Sequence, residues 1–421
     1  MTIALLMVAV FVVLLVIGAP VYVSMGVAAL VAFYFEAQAP SVITQTFATN
    51  INGSALTAIP FFLLMAAILS SGRGVNGLID LLLAFVGHRR GGLALVAVLA
   101  SAMLAAVSGS SPANAAALGL ILVPKMTRLG YSPTFAAGLV AGGGTLGILI
   151  PPSINMIIYS SITTIPVLTL FRAGVLPGIV LTALLAAVSV GIARRRRYPV
   201  DERVPWSGRL LLLRKHGVVL LLPIFIYVVI LLGIVTATES AMAGVIGALL
   251  IEGVYYRKLT WRKLVDACAS TLRTSVIIFL IIATASMFSY VLTIEQVPQS
   301  ITTSMGALVE VSPVLFIIVV SLLLVVLGDF LDVAAITYLV IPIVDAILIQ
   351  HGLDRIQFAI LFILNMELAL VTPPVGINCF VLSNLTKLPV SQVTKGTLPF
   401  AACVVTTMLL VGIFPELTLN H

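Results

Sequence analysis

Charged side chains are scarce in this chain of 421 residues. They make up 9% of it, while hydrophobic residues make up 61%. A water-soluble domain of ordinary composition carries about 25% charged residues. So few charges cannot cover a water-exposed surface, so the composition predicts that lipid surrounds most of the chain. The apolar runs are continuous and not alternating, which excludes a transmembrane β-barrel.

Cysteine and histidine are also rare. Cys268, Cys379 and Cys403 are the three cysteines, and their wide separation predicts neither a disulfide framework nor a metal site. The four histidines are scattered, and no nucleophile has a base nearby in the sequence, so we expect no enzyme. The net charge of +7 comes from basic residues in short loops between apolar runs. That is the positive-inside pattern of membrane proteins, and it does not indicate nucleic-acid binding.

The apolar runs form two halves with the same order of elements, and they predict an all-α polytopic membrane protein. A spanning helix needs about 20 apolar residues. Residues 1–193 and 217–421 would be two repeats joined by a basic cytoplasmic linker, 194–216. With the basic loops placed in the cytoplasm, the paired short runs of the two halves enter the membrane from opposite sides. This is the signature of an inverted-repeat transporter. The predicted runs are 3–18, 21–37, 57–71, 77–87, 92–107, 113–128, 132–166 and 175–193, then 217–235, 238–256, 274–292, 298–310, 313–327, 332–349, 355–385 and 397–415.

Two further segments, 40–54 and 258–271, have an amphipathic pattern typical of helices that lie in the membrane interface. Each follows the first two runs of its half. We expect them to act as arms that join a fixed scaffold to a moving unit, and plain surface loops are the alternative.

A small polar break occurs in each half between two short runs. Residues 108–114 form the first, and residues 328–332 the second. The flanking runs in the first half are about 15 residues long, which is too short to span a bilayer comfortably. Irregular backbone at membrane depth is tolerated where it packs in protein or lines a polar cavity. Each break therefore predicts the tip of a re-entrant helical hairpin, with a surface loop as the alternative.

A Pro-Pro pair interrupts a longer run in each half, at 151–152 within 132–166 and at 373–374 within 355–385. Proline has no backbone N–H, so the pair ends the helix and frees carbonyl groups. Freed carbonyls at a broken helix are suited to a cation such as Na⁺, and paired broken helices point to a site near the bilayer midplane. A packing kink is the alternative.

Acidic residues inside the apolar runs are candidates for function because charge is costly at membrane depth. Asp329, Asp332 and Glu367 qualify. For each, the alternative is a structural role, either as a helix cap or as the partner of a buried arginine.

In these motifs the chain resembles the large membrane subunit of tripartite ATP-independent periplasmic (TRAP) transporters, nearly from end to end. The resemblance implies a bacterial inner-membrane protein with an elevator fold that uses a Na⁺ gradient. It also implies two partners: a small four-helix membrane subunit on a separate chain, and a periplasmic substrate-binding protein. The supporting strings are 59–62, 91–94, 108–112, 130–131, 147–154, 173–174, 177–178, 328–332 and 372–376.

The resemblance further implies where two or more Na⁺ ions and a small organic anion would bind. Each cation would lie between a hairpin tip and the neighbouring helix break, and the anion would lie between the two tips. The substrate would be a C4-dicarboxylate, sialic acid or similar carboxylate. A stand-alone Na⁺- or H⁺-coupled anion transporter without a binding protein is the alternative. The implied cation residues are Ser108, Asn114, Gly147, Leu149 and Pro151, then Gly328, Asp332, Ala369, Thr372 and Gly376; the implied substrate residues are Ser110, Ser111, Pro112, Asn155 and Asn378.

Overall fold

The computed structural model describes residues 2–49 and 53–418, and no strand occurs in that part of the chain. Six of the described helices are long and apolar enough to cross a membrane, or up to eight if each of two bent pairs counts as one span. The predicted all-α polytopic class is therefore confirmed. The division into two halves of opposite orientation stays a prediction.

Eleven helices are described before the basic linker. They are α1 (Thr2–Val16), α2 (Val21–Phe35), α3 (Pro40–Thr49), α4 (Ala58–Ser71), α5 (Gly74–Leu82), α6 (Gly92–Ser108), α7 (Ser111–Arg128), α8 (Pro133–Gly144), α9 (Leu146–Leu149), α10 (Ile154–Ile162) and α11 (Val167–Arg195).

Ten more helices are described from the linker onward. They are α12 (Trp206–His216), α13 (Val218–Leu231), α14 (Ala237–Leu249), α15 (Trp261–Ile294), α16 (Val297–Val311), α17 (Pro313–Gly328), α18 (Val333–Gln350), α19 (Arg355–Ala369), α20 (Ile377–Thr386) and α21 (Val390–Ile413).

The two predicted hairpins are α6–α7 and α17–α18. The first tip is shorter than predicted, because α6 extends to Ser108 and α7 begins at Ser111. Only Gly109 and Ser110 are irregular. Gly109 has φ +56°, and a Cβ there would lie 3.0 Å from the carbonyl oxygen of Pro152, so glycine is required at this turn.

The two Pro-Pro pairs break helices as predicted. The first separates the four-residue α9 from α10, and the second separates α19 from α20. Both Pro-Pro peptide bonds are cis. Helices α8 and α19 are almost wholly buried. The broken helices therefore run through the most enclosed part of the molecule.

Two predicted boundaries were wrong. The segments 258–271 and 274–292 form one continuous helix, α15. No glycine or proline interrupts it, and Thr260 caps its start by accepting a bond from the N–H of Lys263. Helix α11 begins at Val167 instead of residue 175, directly after Pro166, whose carbonyl accepts the N–H of Leu170 at 3.3 Å, and Pro177 is accommodated inside the helix. The predicted amphipathic piece 40–54 contains α3, and residues 50–52 of it lie outside the described part.

Candidate functional site

Both hairpin tips line one cavity of about 220 Å³. The first hairpin contributes Ser110, Ser111 and Pro112, and α10 contributes Asn155. The second hairpin contributes Asp332 at the start of α18. Four of the five predicted substrate residues therefore line the same cavity as one predicted cation ligand.

The opposite wall of this cavity was not anticipated from the sequence. It consists of one face of α15 together with Leu63 of α4. The α15 residues follow the spacing i, i+3, i+4, i+7, which places them on one side of a helix. That spacing could have revealed the face, but not which cavity it borders. The four residues are Thr274, Ile277, Ile278 and Ile281.

A larger crevice of about 530 Å³ lies between α6, α11 and α13. Its lining is apolar apart from Thr182, Tyr227 and backbone. A polar solute needs a few placed hydrogen-bonding groups. The smaller cavity between the tips supplies them, so size alone does not identify the site.

The fifth predicted substrate residue, Asn378, lies behind the cavity. Its side-chain amide donates to Ser111 Oγ at 2.7 Å and to the carbonyl of Ala141 at 3.1 Å. The residue is fully buried. Asn378 at the start of α20 therefore joins the first tip and α8, and it orients the Ser111 hydroxyl.

The first tip packs directly against the first helix break. The N–H of Ile154 donates to the carbonyl of Gly109 at 3.4 Å. A Cβ on Gly147 would lie 2.8 Å from the carbonyl of Ser110, so only glycine allows this approach. The predicted pairing of tip and break is present.

Proline chemistry explains which carbonyl is open at this break. Pro151 and Pro152 lack the N–H groups that would bond to the carbonyls of Gly147 and Ile148 four residues earlier. The Ser153 hydroxyl donates to Ile148 O at 2.6 Å. The Gly147 carbonyl is thus left without its helical donor, and Leu149 and Pro151 lie at the same break.

Asn114 adds a side-chain oxygen near the same tip. Its Nδ2 donates to the carbonyl of Ser101 at 2.9 Å, while its buried Oδ1 has no partner among the described residues. A buried acceptor without a donor costs about 1–3 kcal/mol. The Ser108 hydroxyl donates to Ser110 O at 3.4 Å and so helps to shape the tip. Asn114 Oδ1 has the chemistry of a cation ligand.

The second tip and break repeat this arrangement. A Cβ on Gly328 would lie 2.6 Å from Cβ of Ala369, so the tip rests on the end of α19. Pro373 and Pro374 remove the donors for the carbonyls of Ala369 and Leu370. Leu370 O accepts the N–H of Asn378 at 3.0 Å, which leaves the Ala369 carbonyl open.

Two other predicted residues shape the second break. Thr372 Oγ1 donates to Leu368 O at 2.8 Å, so the hydroxyl is already engaged in the preceding turn. Gly376 has φ +48°, and a Cβ there would lie 2.8 Å from the Thr372 carbonyl. Gly376 is therefore required by the backbone, and the Thr372 carbonyl faces the break.

The three intramembrane acids differ in their surroundings. Asp332 caps α18 by accepting the N–H of Ala334 at 2.9 Å, and it is exposed at the cavity. Asp329 is buried, with Oδ1 unpartnered. Glu367 is fully buried, and neither carboxylate oxygen has a partner in the described chain. Glu367 lies inside α19, so it does not cap a helix, and it pairs with no arginine in the described part of the chain.

No cluster of three or more His, Cys, Asp or Glu side chains occurs within residues 2–49 and 53–418. Backbone carbonyls and side-chain amides at the ends of broken helices are typical Na⁺ ligands in transporters.

Two helical hairpins and two Pro-Pro-broken helices meet at one cavity that holds a few polar side chains, an arrangement typical of membrane transporters. Residues 8–417 match the family model of the tripartite ATP-independent periplasmic transporter, DctM component. The chain belongs to this family of TRAP large permeases, and it is accordingly a multi-pass protein of the inner membrane.

The relatives differ in the substrates that their names give. The chain is 39% identical to the C4-dicarboxylate TRAP transporter large permease protein DctM of Pseudomonas aeruginosa, over 86% of this chain and 85% of that protein. It is 32% identical to the sialic acid TRAP transporter permease protein SiaT of Haemophilus influenzae, over 97% of this chain and 66% of that protein. It is 30% identical to the ectoine/5-hydroxyectoine TRAP transporter large permease protein UehC of Ruegeria pomeroyi, over 97% of this chain and 96% of that protein.

Solved structures agree on the fold. The chain is similar to the YdaH transporter of Alcanivorax borkumensis, with a TM-score of 0.65 and 12% identity, over 89% of this chain and 88% of that one. At this identity the similarity concerns the fold alone.

Proposed function

We propose that this chain is the membrane permease for Na⁺-coupled uptake of a small organic anion, with a C4-dicarboxylate as the first choice. The supporting observation is the cavity of about 220 Å³ between the two hairpin tips. Pockets for drug-sized ligands measure about 300–1,000 Å³. A cavity below that range favours a compact solute over a larger one such as sialic acid.

The tips offer an anion two favourable features. Ser110 and Ser111 present hydroxyl and backbone groups at the start of α7, where the helix dipole is positive. Asn155 adds an amide from α10. A carboxylate would thus exchange its water shell for donors that Asn378 and the helix hold in place.

Asp332 makes binding of an anion dependent on a cation. Its carboxylate lines the same cavity, so an anionic substrate meets an unfavourable like charge. A Na⁺ ion near the second tip would offset this charge. The open carbonyls of Ala369 and Thr372 lie at the adjoining break and would be its ligands, together with groups of the Gly328–Asp332 tip.

A second Na⁺ would bind at the first tip. The open Gly147 carbonyl and the unpartnered Asn114 Oδ1 are the groups best suited to hold it. The Gly147 carbonyl lies at the break that packs against Ser110, and Asn114 lies in the first turn of α7, which begins at Ser111. Cation binding would therefore order the tip that contacts the substrate, which couples the two ligands.

We further propose that the hairpins and broken helices move together, as an elevator, along the α15 face of the cavity. Helix α15 also packs on α2 and α4, outside the hairpin unit. In this proposal α15 and its neighbours are the fixed scaffold. A small four-helix membrane subunit and a periplasmic binding protein would complete the system.

Uptake into proteoliposomes tests the function. The chain would be reconstituted with its small subunit and supplied with the binding protein and labelled C4-dicarboxylate or sialic acid, with and without an inward Na⁺ gradient. We expect uptake that requires both Na⁺ and the binding protein. Uptake by this chain alone would instead support a stand-alone symporter, and uptake that ignores Na⁺ would rule out the proposed coupling.

A further inference from the structure

Helix α12 carries an exposed apolar stripe at the edge of the membrane. Trp206, Leu210 and Leu213 are 70%, 67% and 41% exposed. At 3.6 residues per turn these three positions fall within about 60° of one another. The helix is bent by 55° from the apolar helix α13 that follows it. Such a helix fits the membrane interface, where its apolar side chains leave water.

Basic groups converge beside this stripe. Arg209 is 5% exposed, its guanidinium lies 5.0 Å from the Trp206 ring, and its Nε donates to Val204 O at 3.0 Å. Its Nη2 has no partner among the described residues. Because no acceptor pairs with this donor in the described chain, Arg209 adds uncompensated positive charge beside the Trp206 ring.

The turn after α5 adds more positive charge at the same place. The N–H of Asp201 donates to Gly87 O at 3.3 Å, which holds the linker against this turn. The pKa of His88 is lowered by desolvation, and next by the positive charges of Arg209, Arg203 and Arg89. The positive charges of these three arginines therefore bear on one imidazole.

The acids of the linker do not neutralise this group. Asp201 and Glu202 are the acids within 194–216, against eight basic residues. Asp201 Oδ1 accepts the N–H of Glu202 at 3.0 Å. No ion pair within 4.0 Å joins either acid to an arginine in the described chain. The surface keeps a net positive charge next to apolar side chains.

We propose that the anionic-lipid face, defined as turn 87–91, segment 198–205 and α12, binds the headgroup phosphate of an anionic phospholipid. Guanidinium groups match phosphate oxygens in geometry and charge. Basic clusters directly next to a spanning helix recognise anionic headgroups. The exposed Trp206 stripe beside them places acyl chains within reach, which a soluble anion would not use.

Tryptophan fluorescence tests this directly, because the chain has two tryptophans. Trp261→Phe leaves Trp206 as the reporter in the full chain in detergent. Phosphatidylglycerol or phosphatidylcholine with brominated acyl chains is then titrated. We expect phosphatidylglycerol to quench Trp206 at much lower concentration than phosphatidylcholine does.

Two double variants separate a site from general surface charge. Arg89→Gln with Arg203→Gln removes two exposed charges of the face, and it should weaken phosphatidylglycerol binding roughly 30-fold, or about fivefold per residue. Lys258→Gln with Arg262→Gln removes two exposed charges outside the anionic-lipid face. This variant should change phosphatidylglycerol binding less than twofold.

Several outcomes would overturn the proposal. Equal quenching by both lipids, or equal loss in both double variants, would mean that no specific site exists. Displacement of the lipid by millimolar inorganic phosphate would identify a site for soluble anions. Loss of the small membrane subunit from the Arg89→Gln, Arg203→Gln variant, with lipid binding unchanged, would identify a protein interface instead.

Discussion

At the scale of single residues, Asn114 is the side chain whose role can be tested most sharply. Its Oδ1 is buried and unpartnered, while its Nδ2 bonds to Ser101 O. Asn114→Ala should raise the Na⁺ concentration for half-maximal uptake by about tenfold, since a bond to a charged partner contributes about 1.5–3 kcal/mol. Asn76→Ala, at an exposed position of α5, is the control. An unchanged Na⁺ dependence in Asn114→Ala would remove this residue from the cation site.

Gly109 gives a second prediction at this scale. It has φ +56°, and an added Cβ would meet Pro152 O at 3.0 Å. Gly352 has φ +65° with nothing within 4 Å of an added Cβ. Alanine at either position costs about 1–2 kcal/mol of left-handed strain, but only Gly109→Ala should also displace the tip. We expect its uptake rate to fall at least tenfold, while Gly352→Ala keeps at least half. Equal rates would mean that the tip tolerates displacement.

The glycines and prolines are also where the sequence was most informative. A left-handed turn and a missing N–H are properties of one residue and its neighbours, so the tips and breaks could be predicted locally. The bond from Asn378 to Ser111 joins positions 267 residues apart. Neither residue alone predicts this bond, and the resemblance implied only that both residues lie near the substrate.

At the scale of elements, the main error concerned α15. Its basic and polar first turns suggested a separate interfacial piece before residue 274, although nothing in 261–294 interrupts a helix. Composition describes the environment of a segment, whereas glycine, proline and caps decide where a helix ends. The α15 side of the cavity was missed for a different reason: its four residues all fall within the predicted run 274–292, but no local feature shows which cavity a helix face borders.

The elbow between α4 and α5 leads to a prediction for stability. The helices are bent by 68°, and buried Glu252 accepts the N–H groups of Arg73 at 2.9 Å and Gly74 at 2.7 Å. Because α5 leads into the first hairpin, this carboxylate fixes the entry to the site. Glu252→Gln replaces an acceptor with an amide that cannot serve both N–H groups, and should cost about 2 kcal/mol.

Thermal unfolding of the purified chain in detergent measures this effect. Glu252→Gln should unfold several degrees below the unchanged protein. Glu310→Gln, at an exposed position of α16, should unfold at the same temperature as the unchanged protein. A Glu252→Gln midpoint equal to that of Glu310→Gln would show that the elbow does not depend on this carboxylate.

At the scale of the whole molecule, the cavity belongs to two parts of the protein. Its tips come from the hairpins, and its far wall comes from α15, which packs on α18. If the hairpin unit slides along a fixed α15, a covalent link between Thr274 and Val333 must stop transport without unfolding the protein. Both positions line the same cavity, on two helices that pack against each other.

Paired cysteines at Thr274 and Val333, cross-linked by a reducible bifunctional reagent, make this measurement. Uptake should fall to background after linking and return after reduction, and it should fall less in each single-cysteine variant treated with the same reagent. Of the native cysteines, Cys379 and Cys403 are buried and Cys268 is exposed, so Cys268→Ser is included in every variant. Full uptake in the linked protein would contradict the elevator, because the substrate would then cross with the hairpin held against α15.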